Sequence, residues 1–332
     1  MKSKVMKAMV RITYGNPEVI SIKKIDRPEP TGDKLLIKNH VTTVNRTDCA
    51  ILRGKPWIMR IFQGIISPKK IVTGTDFSGE IIAVGNEVIN FKKGDRVFGF
   101  DDSGLQSHAE YLIVSESQSI DHIPDMMSYQ SAVTALEGPH YAYNFIKTLD
   151  IKKGDKVLVN GASGAIGSSL VQLLKYFEAS VTAVCSTKNI SLMEELDANY
   201  IIDYTNKDFT KVEKTYDYVL DAVGKSSFNK CKPILKEKGV YISSELGRNF
   251  QNLFYALITP ILGGKKVIFP VPRNIEETLV FMRKLIKMNQ FKGIIDRVYT
   301  LDEISEAYKY VLSGHKTGNV IITFDEENSL NK

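Results

Sequence analysis

Three glycines spaced three residues apart, Gly161, Gly164 and Gly167, stand between an apolar run at residues 155–160 and a stretch of helical apolar spacing at residues 168–177. This order of strand, turn and helix suits phosphate binding. Gly161 allows a tight exit from the strand, Gly164 lets the backbone approach a pyrophosphate, and Gly167 lets the helix pack closely. The spacing is GxxGxxG rather than GxGxxG, and the loop is completed by Ala162, Ser163, Ala165 and Ile166. The pattern predicts a dinucleotide site in which backbone N–H groups at the positive end of the helix dipole, with the Ser163 hydroxyl, bind the phosphates.

The end of the next predicted strand decides which dinucleotide is preferred. NAD-binding folds place an Asp or Glu there, about 20 residues past the first glycine, to accept hydrogen bonds from the ribose 2′-OH. This chain has Ser186, Thr187 and Lys188 instead, and two hydroxyls with a cation suit a 2′-phosphate. The alternative is that Ser186 or Thr187 caps a helix beginning near Asn189, which is compatible with phosphate binding. The sequence therefore predicts NADPH as the cofactor.

The elements around this loop alternate in a recognisable order. Short β-branched runs separated by Gly, Pro and Asp turns fill residues 7–114, which predicts a closed antiparallel sheet. After about residue 124, strand-length apolar runs alternate with helical stretches, as in βαβ units on a parallel sheet. Six strands are expected there, at residues 155–160, 180–184, 200–202, 216–220, 239–243 and 266–269. Helices are expected at residues 189–196, 228–236, 274–288 and 302–313, before a last strand at residues 319–323.

Composition narrows the possible classes of protein. The 332 residues suit two domains, with 43% hydrophobic and 25% charged residues. The net charge of +6 is spread over short lysine pairs, so a nucleic-acid partner is not expected. Three cysteines, Cys49, Cys185 and Cys231, fit neither a disulfide framework nor a CxxC metal site. We found no leader pattern or membrane-length apolar run, and expect a cytoplasmic protein with a polar tail at residues 326–332.

Several motifs resemble one superfamily. VGNEV at residues 84–88, FKKGDRVFG at 91–99 and the GASGAIG turn are similar to the medium-chain dehydrogenase/reductase pattern, while residues 241–244, 263–267 and 314–320 resemble its zeta-crystallin-like quinone oxidoreductase branch and the alkenal/enone reductases. The resemblance implies an α/β protein in which a GroES-like β-barrel catalytic domain (residues 1–125) precedes a doubly wound Rossmann domain (126–270). Residues 271–332 would return to the catalytic domain, and the active site would lie in the cleft between the domains. It also implies a homodimer through the edge strand at residues 266–269, and further cofactor contacts at Tyr204, Phe269, Lys316 and Asn319.

The superfamily also contains zinc alcohol dehydrogenases, whose catalytic metal is bound by Cys, His and Cys. At the corresponding positions this chain has Asn45, Thr75 and Leu136, none of which replaces a thiolate or imidazole in a tetrahedral site. The loop that binds a structural zinc in those enzymes has no equivalent between Phe98 and Glu110. We therefore expect no metal.

Five residues are candidates for the substrate cleft: Asn45, Arg46, Trp57, Glu137 and His140. His140 falls where relatives place a small residue beside the nicotinamide, although a buried His bonded to a carbonyl is an equal alternative. Roles in the core or on the barrel surface remain open for Arg46, Trp57 and Glu137. Cys49 has no accompanying His pattern, so a buried hydrophobic role is favoured over a nucleophile.

Without a Lewis acid, reduction of a conjugated acceptor is easier than oxidation of an alcohol. The expected reaction is hydride transfer from NADPH to a quinone or to the β-carbon of an α,β-unsaturated carbonyl, with the carbonyl oxygen bonded by Asn45, His140 or the cofactor ribose and with protonation from water. Orientation of the reactants would provide most of the catalysis. Two alternatives remain: a zinc-type alcohol dehydrogenase, and a non-catalytic NADPH-binding or RNA-binding protein of the crystallin type.

Overall fold

The computed structural model describes residues 4–57, 59–243 and 245–324, which form two compact units. Unit 1 consists of Met1–Glu137, Ile275–Arg283 and Ile295–Lys332; unit 2 consists of Gly138–Asn274 and Lys284–Ile294. The chain leaves unit 1 at residue 137 rather than at the expected residue 125, and a short second stretch of the C-terminal part joins unit 2. The polar tail expected at residues 326–332 lies outside the described residues.

The first part of unit 1 is built mainly from strands. The strands are β1 Val5–Val10, β2 Ser21–Asp26, β3 Lys34–Val44, β4 Asp76–Val84, β5 Arg96–Phe100, β6 Tyr111–Ser115 and β7 Ile120–His122, and the helices are α1 Arg46–Arg53, α2 Met59–Gln63 and α3 Tyr129–Val133. Helix α1 was not predicted. Asn45 and Asp48 form a capping box at its start, and Gly54, at φ +57°, ends it in the left-handed conformation that glycine tolerates. Helix α3 packs on β3, β4 and β5, which is why unit 1 extends past residue 125.

Unit 2 contains a parallel sheet. Its helices are α4 Glu137–Lys147, which begins at the last residue of unit 1, α5 Ala165–Tyr176, α6 Ile190–Glu195, α7 Phe228–Cys231 and α8 Gln251–Leu262; its strands are β8 Lys156–Asn160, β9 Ser180–Cys185, β10 Tyr200–Asp203, β11 Tyr216–Asp221, β12 Leu235–Ser243 and β13 Lys266–Ile268. The strand order β10-β9-β8-β11-β12-β13 is that of a doubly wound dinucleotide-binding fold, which confirms the predicted fold class. The helix predicted at residues 228–236 is wrong after Cys231. Pro233 cannot donate the helical hydrogen bond, and β12 begins at Leu235.

The C-terminal part adds α9 Ile275–Lys287, β14 Ile295–Thr300, α10 Ile304–Ser313 and β15 Asn319–Thr323. Strand β15 pairs antiparallel with β3, and β14 pairs parallel with β15. The larger sheet of unit 1 therefore has the order β14-β15-β3-β4-β5-β7, with β6 paired to the other half of β3, while β1 and β2 form a separate two-stranded sheet. The parallel pairing of β14 departs from the antiparallel sheet expected from the sequence. Sequence periodicity did not predict β14, whose residues are exposed or only half-buried.

Each unit has its own hydrophobic core. In unit 1 the inner faces of β3 to β6 contribute Leu35, Ile37, Phe77, Ile81, Val97, Leu112 and Val114, and a second cluster joins α1, α10 and β15. In unit 2 one cluster packs on the sheet around Leu158, Val184, Val219, Phe228 and Tyr241. Burial of this apolar surface stabilises the sheets, and the polar residues of the candidate site lie at the ends of their strands.

Candidate functional site

The glycine turn of unit 2 leaves space where a phosphate would bind. At Gly161 φ is +75°, and a Cβ would lie 2.3 Å from Val223; at Gly167 it would lie 2.1 Å from the carbonyl oxygen of Gly161. A Cβ on Gly164 would meet only that carbonyl oxygen, at 3.6 Å, so the space in front of it is open. Gly164 is also the N-cap of α5 and has no side chain to satisfy the first N–H groups. A pyrophosphate fits this cradle.

Two hydroxyls near the glycine turn are bonded to one amide. Asn189 Nδ2 donates to Ser163 Oγ at 2.9 Å and to Ser186 Oγ at 3.4 Å. Because both hydroxyls accept from Asn189, their own protons can be donated to a phosphate. The Ser186 side chain makes no capping bond, so the structure offers no support for the capping alternative at this residue. Asn189 was considered only as a helix start, and its bridging role depends on the tertiary contact with Ser163.

A carboxylate lies beside the predicted 2′-phosphate residues. Thr187 Oγ1 donates to Asp203 Oδ2 at 2.6 Å, and Thr205 donates to the other oxygen of that carboxylate. Hydrogen bonding, first from Thr187 and then from Thr205, lowers the pKa of Asp203, so this half-buried carboxyl is ionised at neutral pH. The sequence shows no acid at the end of β9, but Asp203 reaches this position from the end of β10. The Thr187 hydroxyl therefore already donates its proton to Asp203 and does not have it available for a phosphate.

The other predicted cofactor contacts of unit 2 lie near strand ends. Lys188 is exposed, and Tyr204 is 53% exposed at the rim of an open depression of about 540 Å³ that also includes Lys207, Lys225 and Lys230. Phe269 lines a smaller cavity of about 150 Å³ with Tyr141, Asn144 and Phe145. Cations and aromatic rings thus lie near these strand ends of unit 2.

Asp221 ties three strand ends of unit 2 together. Its fully buried carboxylate accepts from Asn160 Nδ2 at 2.9 Å, from Tyr241 Oη at 2.9 Å and from the backbone N–H of Gly224 at 3.0 Å. These bonds fix the ends of β8, β11 and β12 relative to one another. We did not predict this network, although a polar residue ending two otherwise apolar strands is a usable signal.

In unit 1 the first two positions that bind zinc in metal-dependent relatives contact each other. Asn45 Nδ2 donates to Thr75 Oγ1 at 2.8 Å and to Thr43 Oγ1 at 3.4 Å, and Asn45 Oδ1 accepts from the backbone N–H of Asp48 at 2.8 Å. Asn45 is only 3% exposed. Leu136, at the third position, is buried and has no ligand atom. The polar atoms of Asn45 are thus used within the protein, which leaves this amide poorly placed to bond a substrate carbonyl.

Two buried acids, Asp48 and Asp76, lie close to Asn45 and Thr75. Asp76 accepts from Thr43 Oγ1 at 2.5 Å and from the Thr43 backbone N–H at 2.7 Å, yet burial raises its pKa to about 6. Burial, with the neighbouring Asp76, raises the pKa of Asp48 well above its usual value. Within the described ranges, no three His, Cys, Asp or Glu residues are grouped to hold a metal.

His108 is a buried residue that sequence reasoning did not identify. Its Nε2 lies 2.9 Å from the carbonyl oxygen of Thr43, so Nε2 carries the proton, and Nδ1 accepts near Thr73 Oγ1 (3.0 Å) and Tyr308 Oη (3.2 Å). Burial lowers its pKa to about 4, which keeps the imidazole neutral. Tyr308 is 200 residues away in sequence. No local pattern indicates such a contact.

Glu137 combines burial with a transferable proton. Thr47 Oγ1 donates to its Oε1 at 3.1 Å. Burial raises the pKa of Glu137 to about 7, although the Lys316 ammonium opposes this shift. Lys316, a predicted cofactor contact, is half-buried, and its Nζ donates to the carbonyl of Gly318 at 2.6 Å. Glu137 thus exchanges a proton near neutral pH, as a general acid requires.

The remaining candidates are placed differently. Arg46 is exposed at the start of α1, Trp57 is 63% exposed, and Asn319 is buried at the start of β15. His140 belongs to unit 2, where it is buried against Tyr141, and burial lowers its pKa to about 4. Two of the five cleft candidates bond other residues of unit 1: Glu137 bonds Thr47 of α1, and Asn45 bonds Thr75.

The three cysteines are buried and form no disulfide. Burial raises the pKa of the Cys49 thiol, so a thiolate nucleophile is disfavoured there, in agreement with the hydrophobic role expected for it.

Comparisons with known proteins agree with this architecture. Residues 31–125 match the alcohol dehydrogenase GroES-like domain, and residues 196–322 match the zinc-binding dehydrogenase domain. The chain is 27% identical to a chloroplast envelope quinone oxidoreductase homolog of Arabidopsis thaliana, over 97% of this chain and 99% of that one. It is 28% identical to an NADPH-dependent alkenal/one oxidoreductase of the same plant, over 96% and 80%. A solved quinone oxidoreductase from Coxiella burnetii superposes with a TM-score of 0.85, at 25% identity over 97% and 100%.

The chain belongs to the medium-chain dehydrogenase/reductase superfamily. It is an oxidoreductase whose Rossmann unit binds NAD(P)H. The three positions compared with zinc ligands, Asn45, Thr75 and Leu136, lie outside the residues matched by the zinc-binding dehydrogenase model. None of the helices in the described residues is long and apolar enough to cross a bilayer.

Proposed function

We propose that this protein is a zinc-independent reductase that uses NADPH to reduce quinones or α,β-unsaturated carbonyl compounds. The names of the Arabidopsis and Coxiella relatives support this substrate class. One observation carries zinc independence: the 2.8 Å hydrogen bond between Asn45 and Thr75, side chains that are poor zinc ligands and already bond each other.

The chemistry follows from the side chains present. Bound NADPH supplies a hydride, and the reduced product then needs a proton. Glu137 is the best-suited candidate to deliver it, because its pKa of about 7 leaves much of the carboxyl protonated at neutral pH. Thr47 orients the carboxyl through Oε1. This assignment replaces water as the expected proton source and assigns no carbonyl-binding role to Asn45, whose amide is already used.

The preference for NADPH rests on Ser163, Ser186 and Lys188. The first two hydroxyls can donate to phosphate oxygens, and Lys188 adds a positive charge. Asp203 opposes this preference, because a carboxylate repels a 2′-phosphate and could instead accept from the 2′-OH of NADH. NADH is therefore the second candidate cofactor.

Two features support a homodimer. Strand β13 ends the sheet and pairs, among the described strands, with β12 on one side only. Helix α8 packs beside it and exposes a stripe of apolar side chains: Leu253, Phe254, Leu257 and Ile261. Pairing two copies along β13 would cover both the edge and the stripe. Light scattering should give twice the chain mass of 37.3 kDa, and a mass equal to one chain at micromolar concentration would contradict the dimer.

Cytoplasm remains our proposed location. Three buried cysteines without a disulfide support a reducing compartment.

The decisive experiment is a spectrophotometric screen of NADPH oxidation against quinones, alkenals, enones and simple alcohols. We expect turnover with at least one conjugated acceptor and none with alcohols plus NADP⁺. Tight NADPH binding without turnover on the whole panel would instead favour the non-catalytic crystallin-type alternative. Alcohol oxidation that is lost with a chelator would favour the zinc enzyme.

A further inference from the structure

The net charge is less evenly spread than the lysine pairs suggested, because one surface segment of unit 1 contains cations and no acidic residue. Between Asp48 and Asp76 the sequence contains no acidic residue but five cations: Arg53, Lys55, Arg60, Lys69 and Lys70. The segment therefore has a formal charge of +5, against +6 for all 332 residues. None of the five forms an ion pair with a residue that the structure describes. Such a concentration of one sign suits an anionic partner.

The same segment turns apolar side chains toward solvent. Trp57 is 63% exposed, Ile61 49%, Ile65 62% and Ile66 92%, and Ile71 is 42% exposed at its end. Ile12, 68% exposed, belongs to the same area, because the neighbouring Arg11 N–H donates to the carbonyl of Ile71 at 2.8 Å. We call these six residues the apolar patch. Single exposed hydrophobics are ordinary, but a group of this kind marks an interaction surface.

Hydrogen bonds hold the segment with this side outward. Tyr14 Oη donates to the carbonyl of Gly64 at 2.6 Å, Gln63 Nε2 donates to the carbonyl of Ser103 at 3.0 Å, and Lys70 Nζ donates to the carbonyl of Gly104 at 2.6 Å. The Arg60 guanidinium also stacks on the Tyr14 ring, 4.6 Å from its centroid. Gln63 and Gly64 are buried, while the isoleucines beside them are exposed. These bonds anchor the segment to the protein, while the isoleucines and the exposed lysines Lys55 and Lys69 remain on its surface.

We propose that the apolar patch and its five cations form a docking surface for an anionic lipid bilayer. Tryptophan and aliphatic side chains enter the headgroup region, while Lys and Arg attract anionic lipids, a combination typical of peripheral membrane attachment. The α8 stripe differs, because Gln251–Leu262 contains no charged residue and lies beside an unpaired strand edge, which suits a second copy. Docking places the chain on a membrane surface and is independent of the proposed reductase activity.

Trp57 is the single tryptophan of the chain, so tryptophan fluorescence monitors the apolar patch directly. The full chain is mixed with vesicles of phosphatidylcholine alone or of phosphatidylcholine with phosphatidylglycerol, and tryptophan emission is recorded. We expect a blue shift with the anionic vesicles, quenching when the acyl chains are brominated, and release at about 1 M salt, where screening shortens to roughly 3 Å. Sedimentation with the vesicles gives the affinity.

Matched variants separate charge from apolar insertion. Lys55→Ala with Lys69→Ala, two exposed cations that do not hold the segment in place, should weaken binding about 30-fold, since each cation near an anionic surface contributes about 1 kcal/mol. Ile65→Ser with Ile66→Ser should weaken it at least about tenfold through lost apolar burial. The controls are Lys92→Ala with Lys93→Ala for charge, and Ile89→Ser with Met126→Ser for exposed apolar residues elsewhere in unit 1. Both controls should bind like the wild type, and thermal unfolding by circular dichroism verifies that all variants fold.

Three results would overturn the proposal. The first is an unchanged Trp57 emission with anionic vesicles. The second is equal binding of neutral and anionic vesicles with no effect of the lysine substitutions. The third is self-association without lipid that the isoleucine substitutions abolish, since the surface would then be a contact between copies of this chain.

Discussion

The side-chain amide of Asn45 donates a 2.8 Å hydrogen bond to the hydroxyl of Thr75. These residues stand where zinc-dependent members of the superfamily place a thiolate and an imidazole. The same Asn45 side chain accepts from the backbone of Asp48 and so begins α1. Asn45 therefore takes part in the hydrogen bonding that holds together the end of β3, the start of α1 and the segment before β4.

The first prediction concerns metal. Purified protein should contain no stoichiometric zinc, and NADPH oxidation should persist after treatment with 1,10-phenanthroline, because Asn45, Thr75 and Leu136 offer no thiolate or imidazole. Elemental analysis checks the first expectation and a rate assay the second. About one tightly bound zinc per chain, lost together with activity, would contradict the proposed zinc independence.

The second prediction concerns Glu137→Gln. If Glu137 delivers the proton, this substitution should lower kcat by about 10²-fold or more with little change in KM. In the wild type, kcat should fall as pH rises through about 7, because the carboxyl loses its proton. In Glu137→Gln, kcat should not show this decrease with pH. Thr47→Val provides a second test. The hydrogen bond from Thr47 lowers the pKa of Glu137, so removing this bond should shift the decrease in kcat to higher pH. The same decrease of kcat with pH in Glu137→Gln would rule out Glu137 as the proton donor.

The third prediction is the effect of the same carboxyl on stability. The pKa of Glu137 is raised from 4.5 to about 7 in the folded chain, so the folded state keeps a proton that the unfolded state releases. Its contribution to stability therefore falls as pH rises from about 4.5 to about 7 and is constant above. Compared with wild type, Glu137→Gln should gain up to about 3 kcal/mol of unfolding free energy across this window. Urea titrations at several pH values measure the difference, and a pH-independent difference would contradict it.

The fourth prediction concerns cofactor choice. Lys188→Ala should weaken NADPH binding roughly 10-fold to 150-fold with little effect on NADH, as expected for one charge-assisted hydrogen bond to phosphate. Asp203→Asn should strengthen NADPH binding severalfold, because it removes a carboxylate beside Thr187. Fluorescence titration with both cofactors distinguishes the cases. Equal wild-type affinities, or an Asp203→Asn variant that weakens NADH alone, would support NADH and contradict the 2′-phosphate site.

The fifth prediction separates two glycines of one turn. Gly167→Ala should destabilise unit 2 by about 3 kcal/mol or more, because the new Cβ would lie 2.1 Å from a backbone oxygen. Gly164→Ala should change stability by about 1 kcal/mol or less, yet weaken NADPH roughly tenfold or more by occupying the open cradle. Urea unfolding and cofactor titration give the two readouts. Unaltered NADPH binding by Gly164→Ala would place the pyrophosphate elsewhere.

Local sequence predicted much of unit 2. The glycine turn, six strands and their parallel arrangement follow from residues that are neighbours in the chain, since burial on both faces requires apolar runs and a tight turn requires glycine. The last strand, Asn319–Thr323, was likewise predicted from its apolar run. Two predictions failed for different reasons: the predicted helix at residues 228–236 ignored Pro233, which ends α7 early, and the half-exposed β14 lacks the apolar pattern of a buried strand.

The sequence by itself determined which residue types are available: hydroxyls and a lysine after β9, and no thiolate or imidazole at the metal positions. Only the tertiary structure decided which of them meet. Asn45 and Thr75 are 30 residues apart, Thr187 and Asp203 are 16 apart near the ends of two neighbouring strands, and His108 and Tyr308 are 200 apart. Such contacts depend on strand register and on the closure of long loops, which leave no periodic signal in the chain. The raised pKa of Glu137 has the same origin, because burial is a property of the folded unit rather than of the residue.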